Sequence, residues 1–200
     1  MPHGTAAMSQ TRTLLHTRQV TCTAYLRDDG MLEVEGEMRD ITPEDTDLLF
    51  RIAPADGDIH HMHISMTLDR ELLIQQVRAR THAGPAPSCT QIESAYEALA
   101  GLRIGPGFMP KVKARVGGAK GCTHLTELFG PMATTAYQAH FALLRKHNNL
   151  RQRLASSAPL PRPSLVDSCH TYRLDGEAIK LIWPEDRREE DATDAALPGK

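Results

Sequence analysis

Aromatic side chains are scarce in this chain of 200 residues: Phe, Tyr and Trp together make up 4% of it. That is too few for the stacking platform on which single-strand nucleic-acid binders hold bases, so nucleic acid is an unlikely partner. There is no run of about eighteen apolar residues, the length a membrane-spanning helix needs. The N-terminal MPHGTAAMSQTRT also lacks the apolar stretch of a secretory signal. Both absences predict a cytoplasmic chain with no membrane partner. The four cysteines include no C-x-x-C pair, and no G-x-x-x-x-G-K-[ST] loop occurs. A zinc-ribbon pattern and Walker-type nucleotide hydrolysis are therefore not indicated. In a reducing compartment the cysteines are expected to be free, catalytic or metal-bound rather than paired.

What is present is unevenly charged. Residues 1–97 carry 8 basic and 15 acidic side chains, residues 98–166 carry 10 and 1, and residues 167–200 carry 5 and 9. The lone acid of the basic middle is Glu127, so whatever Glu127 does takes place in a positive field. That field suits an anionic small molecule or an acidic partner protein; the plain alternative is a basic middle that packs beside the acidic ends.

The hydrophobic period changes near residue 88. Before it, QVTCTAYLRDDGMLEVEGEMRDI alternates on both sides of Asp28-Asp29-Gly30, a strong hairpin signal, and HHMHISMTLDRELLIQQVRART predicts a second hairpin turning at Leu68 to Glu71. After it, CTQIESAYEALAGL places Ile92, Tyr96 and Leu99 on one helical face, and FMPKVKARV predicts a short helix ended by Gly117-Gly118. A long helix then carries Leu125, Leu128, Phe129, Met132, Ala136, His140 and Leu143, with a kink expected at Gly130-Pro131. The expected fold is α+β: an antiparallel sheet of about four strands, built as two hairpins, packed on about three helices. A single domain is expected over residues 14–184, with a flexible N-terminus at 1–13, a Pro-rich linker in ASSAPLPRPS, and a disordered acidic tail at 185–200. Trp183 is expected to anchor the C-terminus on the core.

The stretch LRIGPGFMPKVKARVGGAKGCTHLTELFGPMATTAYQ, the IHHM strand, PSCTQIESAYEALAGL and the late DSCHTYRLDG resemble a bacterial family of domains of unknown function. The likeness covers roughly residues 14–184, and GCTHLTEL is its most specific part. The resemblance implies no known activity. It does imply that His60, Cys89, Cys122, His124, Glu127, Cys169 and His170 stand at the family's motif positions, whereas His61 and His63 depart from them.

Cysteine and histidine are the usual ligands of zinc, and thiolates those of iron–sulfur clusters. Cys89, Cys122, His124 and Cys169 come from three segments and could form a Cys3His metal site, with His60, Glu127 and His170 as less favoured donors. Cys122 and His124 lie two apart and could converge if Cys122 sits in the turn before the helix, with Thr123 as N-cap. The same residues support a second reading, in which a Cys122 thiolate is the nucleophile, His124 its base and Glu127 the orienting group, acting on an anionic substrate such as an acyl-CoA or a carboxylate. In that reading Gly118, Lys120 and Gly121 would bind the anion. A third reading is a non-catalytic accessory protein of a catabolic pathway, and cysteines that merely pack are the plain alternative to all three. His61 and His63 share one strand face and His60 the other, so an H-x-H pair is a further, weaker metal candidate. Cys22 is expected to face the sheet core.

Overall fold

The computed structural model describes residues 12–147 and 157–189. The expected flexible segment 1–13 and acidic tail 185–200 fall mostly outside the described residues, as does the start of the Pro-rich linker. The chain divides into two compact units, residues 1–142 and 143–200. The expected domain of 14–184 spans parts of both.

The first unit is α+β. Strands β1 (Thr17–Leu26), β2 (Leu32–Ile41), β5 (Asp58–Leu68) and β6 (Ile74–Ala83) form an antiparallel sheet in the order β1-β2-β5-β6. Both expected hairpins are present. The first closes at Gly30, whose φ of +82° is left-handed, with the Gly30 amide donating to the Arg27 carbonyl at 3.0 Å. A two-stranded hairpin of β3 (Thr46–Asp47) and β4 (Ile52–Ala53), not foreseen from the sequence, lies between β2 and β5.

One face of the sheet is covered. Along β2 the residues alternate between buried and half-buried, and the buried phase reads Leu32, Val34, Gly36, Met38 and Asp40. The long helix, here α2 (Thr123–His147), lies on that face and contains Pro131 without interruption. Its buried stripe is Leu125, Leu128, Phe129, Met132 and Ala136. Helix and sheet approach closely at Gly36, where a Cβ would come within 2.6 Å of Met132 Sδ. Cys22 lies half-buried on the same face, as expected, and burial pushes its thiol up against a hydrogen bond from Thr135.

Two more helices precede α2. Residues Pro87–Leu99 take 3-10 rather than α geometry. Three residues per turn align Glu93 with Tyr96 and Leu99, so Tyr96 and Leu99 are fully buried while the Glu93 carboxylate caps the Thr81 amide at 2.6 Å. Helix α1 (Phe108–Val116) buries Phe108, Val112 and Val116 and ends at Gly117 as predicted.

The second unit holds the short helix α3 (Glu177–Ile182) and a small core of Leu160, Ile179 and Trp183. The Trp183 indole N–H donates to the Leu160 carbonyl at 2.8 Å. No described helix is long and apolar enough to cross a membrane.

Candidate metal centre

The covered face of the sheet is apolar along most of its length and turns polar at one end. The inward phase of β1 runs Arg18, Val20, Cys22, Ala24, Leu26, and that of β5 runs His60, Met62, Ile64, Met66, Leu68. Pairing sets Arg18 opposite Asp40 and Asp40 opposite His60, so each of the three strands contributes one polar residue to a single cross-strand row.

Asp40 is the centre of that row and is 1% exposed. Arg18 donates to it through two nitrogens, Nε to Oδ1 at 2.7 Å and Nη2 to Oδ2 at 2.8 Å, the fork geometry that makes guanidinium–carboxylate pairs strong. His16 Nε2 lies 3.1 Å from Oδ1 and His60 Nδ1 3.0 Å from Oδ2. Burial opposes ionisation of Asp40, but the hydrogen bonds from Arg18 and His16 outweigh it and hold the carboxyl well below the usual carboxylate range. An ionised carboxylate can only accept, so His60 donates its Nδ1 proton and keeps its lone pair on Nε2.

The fourth side chain comes from the helix. His124, in the first turn of α2, lies over His60 with ring centroids 3.7 Å apart and planes tilted by 30°. Burial pushes both rings below the ordinary histidine value, reinforced by each other's neighbourhood: His124 acts on His60, and Arg18 on His124. Both shifts favour the neutral imidazole, the form that ligates metals. One turn further along α2, Glu127 Oε2 accepts from Arg18 Nη1 at 2.8 Å, which ties the helix back to Asp40 through the shared guanidinium.

The start of α2 is held from below. The buried Tyr96 hydroxyl donates to the Cys122 carbonyl at 2.8 Å and accepts from the Cys122 amide at 2.8 Å. Thr126 N–H also donates to the Cys122 carbonyl, so Cys122, rather than Thr123, occupies the cap position; Tyr96 is what aims that carbonyl. The loop before it closes tightly because a Cβ on Gly121 would sit 2.0 Å from the Val116 carbonyl oxygen, and Gly118 takes a φ of +59°.

The structure thus gathers Cys122, His124, Glu127 and His60. Cys122 Sγ reaches His124 Nδ1 at 3.8 Å. Cys89 lies on the 3-10 helix against Gly84. Cys169 and His170 belong to the second unit, both exposed. In the glycine loop, the amides of Lys120 and Gly121 are taken up by the Gly117 and Gly118 carbonyls, and Lys120 Nζ faces the Ala114 carbonyl at 3.4 Å. His61 and His63 lie on the opposite sheet face from His60, where His61 Nε2 pairs with Glu37 at 2.6 Å. The sequence reading missed Asp40, Arg18 and His16. A signal for one of them existed: Asp40 stands in phase with the core residues of β2, where an apolar side chain belongs.

Among the described residues, one group offers three metal-ligand atoms close together. These come from Asp40, His60 and His124 and lie within 4.8 Å of one another. Metal–ligand bonds of about 2.0–2.2 Å set donors roughly 3–4 Å apart, a little closer than the outer limit of this group. A family model described as a protein of unknown function, DUF2889, matches residues 16–138, a span that contains this whole constellation. No curated protein and no solved structure matches the chain.

Proposed function

The chain belongs to the DUF2889 family, whose function is unknown, and we propose that it binds one divalent transition-metal ion between Asp40, His60 and His124. The observation that carries this reading is the convergence of two neutral imidazoles on a buried, ionised carboxylate. Two histidines and one carboxylate form a donor set that suits ferrous iron or zinc and leaves coordination positions open for water or a substrate. Iron–sulfur clusters are held chiefly by thiolates, whereas the donors that converge here are imidazoles and a carboxylate, with the Cys122 thiol 3.8 Å from His124. Arg18, His16 and Glu127 would hold Asp40 in place, and such supporting partners commonly weigh nearly as much as the ligands. Four free cysteines accord with a reducing, cytoplasmic setting. Titration with cobalt(II) tests the proposal: a saturable visible absorption at one equivalent in the wild type and none in His124→Gln is the expected pair of results. An identical spectrum in both would refute it.

A second reading is favoured by one contact, the 3.8 Å approach of the Cys122 thiol to His124. In it, His124 draws the proton from a Cys122 nucleophile fixed by Tyr96. Brief iodoacetamide treatment of metal-free protein would then label Cys122 ahead of Cys22, Cys89 and Cys169. Equal or negligible labelling at Cys122 would remove this reading.

A further inference from the structure

The two edges of the four-stranded sheet are finished differently. At β6 the open backbone groups are taken up by neighbouring segments. The Ile74 amide donates to the Leu102 carbonyl and its carbonyl accepts from Gly101, both at 2.8 Å, the Thr81 amide donates to Glu93, and just past the strand Arg51 Nε donates to the Gly84 carbonyl at 2.9 Å. β1 is the other edge. Its inner side pairs with β2 in an unbroken register, from Thr17 opposite Ile41 to Leu26 opposite Leu32. The Arg27 amide donates to the Met31 carbonyl across the turn, so Arg27 directs its backbone toward β2. Alternation along the ladder then turns the amides and carbonyls of Arg18, Val20, Cys22, Ala24 and Leu26 outward. Among the described residues nothing is hydrogen-bonded to that outward row. The strand also lacks the usual protection of a bare edge: it has no Pro, Gly or Lys and no bulge, and its one charge, Arg18, is held by Asp40 and Glu127. Of its ten residues seven are exposed. They include Val20 at 47% and Leu26 at 56%, which stand in the phase of the covered face, so the cover stops short of this edge.

We propose that two copies of this chain pair through this edge, β1 antiparallel to β1 about a two-fold axis, so that their sheets become one. The strand is complementary to itself. Pairing that keeps the faces in phase sets Val20, Cys22, Ala24 and Leu26 against the same set in the second copy, and Thr17, Gln19, Thr21, Thr23 and Tyr25 against an equally uncharged row. Arg18 stands near one end of the strand and in an antiparallel pair meets the far end of the other strand, not its own copy. A second β1 thus bonds the outward amides and covers the apolar rim at once. The pairing is independent of the metal reading above.

Sedimentation equilibrium of the full chain over a wide concentration range, joined to amide hydrogen exchange followed by NMR, tests the pairing. The expected particle has twice the 22.1 kDa mass of the chain. In it the outward amides of Val20, Cys22, Ala24 and Leu26 are protected from exchange as well as the inward amides of Thr21, Thr23 and Tyr25. Val20→Pro removes one outward amide and leaves the ladder to β2 intact, the setting in which an edge strand accepts proline. It should sediment as a monomer with an unchanged circular dichroism spectrum, and its remaining outward amides should exchange freely. Should that variant fail to fold, Val20→Lys, which puts charge into the apolar rim, should weaken association at least about tenfold, whereas Gln76→Lys on β6 should leave it unchanged. A monomeric wild type would overturn the proposal and leave the edge to a different chain or to none. A dimer whose outward β1 amides exchange freely, or one that persists in the folded Val20 variants, would place the interface elsewhere and overturn it equally.

Discussion

Replacing Asp40 by asparagine removes the group on which the polar row converges. The carboxylate is 1% exposed and lies within hydrogen-bond distance of four nitrogens, two of Arg18 and one each of His16 and His60. An asparagine has the same shape but turns one of its two acceptor atoms into a donor, so about half of these contacts become donor against donor. Removing one member of a buried ion pair costs about 3–5 kcal/mol when the other charge is stranded. Arg18 is not stranded, because it is 39% exposed and keeps Glu127 as a partner. The expected loss is therefore smaller, about 2–3 kcal/mol, the scale of one or two hydrogen bonds to a charged group. Urea unfolding of the metal-free Asp40→Asn protein, followed by fluorescence of the exposed probe 8-anilinonaphthalene sulfonate and by circular dichroism, measures it. The slope should be unchanged and the midpoint lowered. A change under about 0.5 kcal/mol would mean that the carboxylate is neither buried nor converged upon in solution, and the reasoning built on it would fail.

Three further outcomes follow from the same geometry. Tyr96→Phe loses both hydrogen bonds to the Cys122 backbone and should cost about 1–3 kcal/mol in unfolding free energy, with cobalt affinity reduced as the start of α2 loosens; unchanged stability and affinity would show that Tyr96 only packs. Gly121→Ala should lower the melting temperature more than Gly130→Ala, because its Cβ would meet the Val116 carbonyl at 2.0 Å whereas that of Gly130 meets nothing within 4 Å, and the opposite order would contradict the loop's packing. His60 and His124 titrate below the unfolded value of about 6.5, so the unfolded chain takes up protons first and their contribution is present above that pH and lost as pH falls through it; Asp40, held low, adds a further loss below about pH 4. Urea midpoints of metal-free protein should decline from pH 7.5 to 5.5, and a flat or rising profile would be the contrary result.

The sheet was legible because alternation was strict where it mattered: β2 buries every second residue, so its period of two and its turn at Gly30 leave little choice of fold. Helices α1 and α2 were legible from the spacing of Phe108, Val112 and Val116 and of Leu125, Leu128, Phe129 and Met132. The 3-10 character of Pro87–Leu99 was not, since Tyr96 and Leu99, three apart, fit either helix. Of the site, the half carried by GCTHLTEL was visible as local sequence. The rest is made by pairing: Arg18 and Asp40, 22 residues apart, meet only across strands, and His60, named as a less favoured donor, reaches Asp40 across 20 residues in the same way. Within the first unit the residues that converge are two imidazoles and an aspartate, a set in which the sequence reading names only His124 and His60 as donors. An aspartate in the buried phase of an apolar strand was the one local hint, and it acquires meaning only once the Arg18 and His60 partners are known.

The most direct test is elemental analysis of three proteins purified and reloaded under identical anaerobic conditions: the wild type, the double variant His60→Gln with His124→Gln, and the triple variant Cys89→Ser, Cys122→Ser, Cys169→Ser. The account predicts one tightly held zinc or iron per chain in the wild type, none in the histidine variant, and one in the cysteine variant. Metal retained without the histidines, or lost with the cysteines alone, would contradict it.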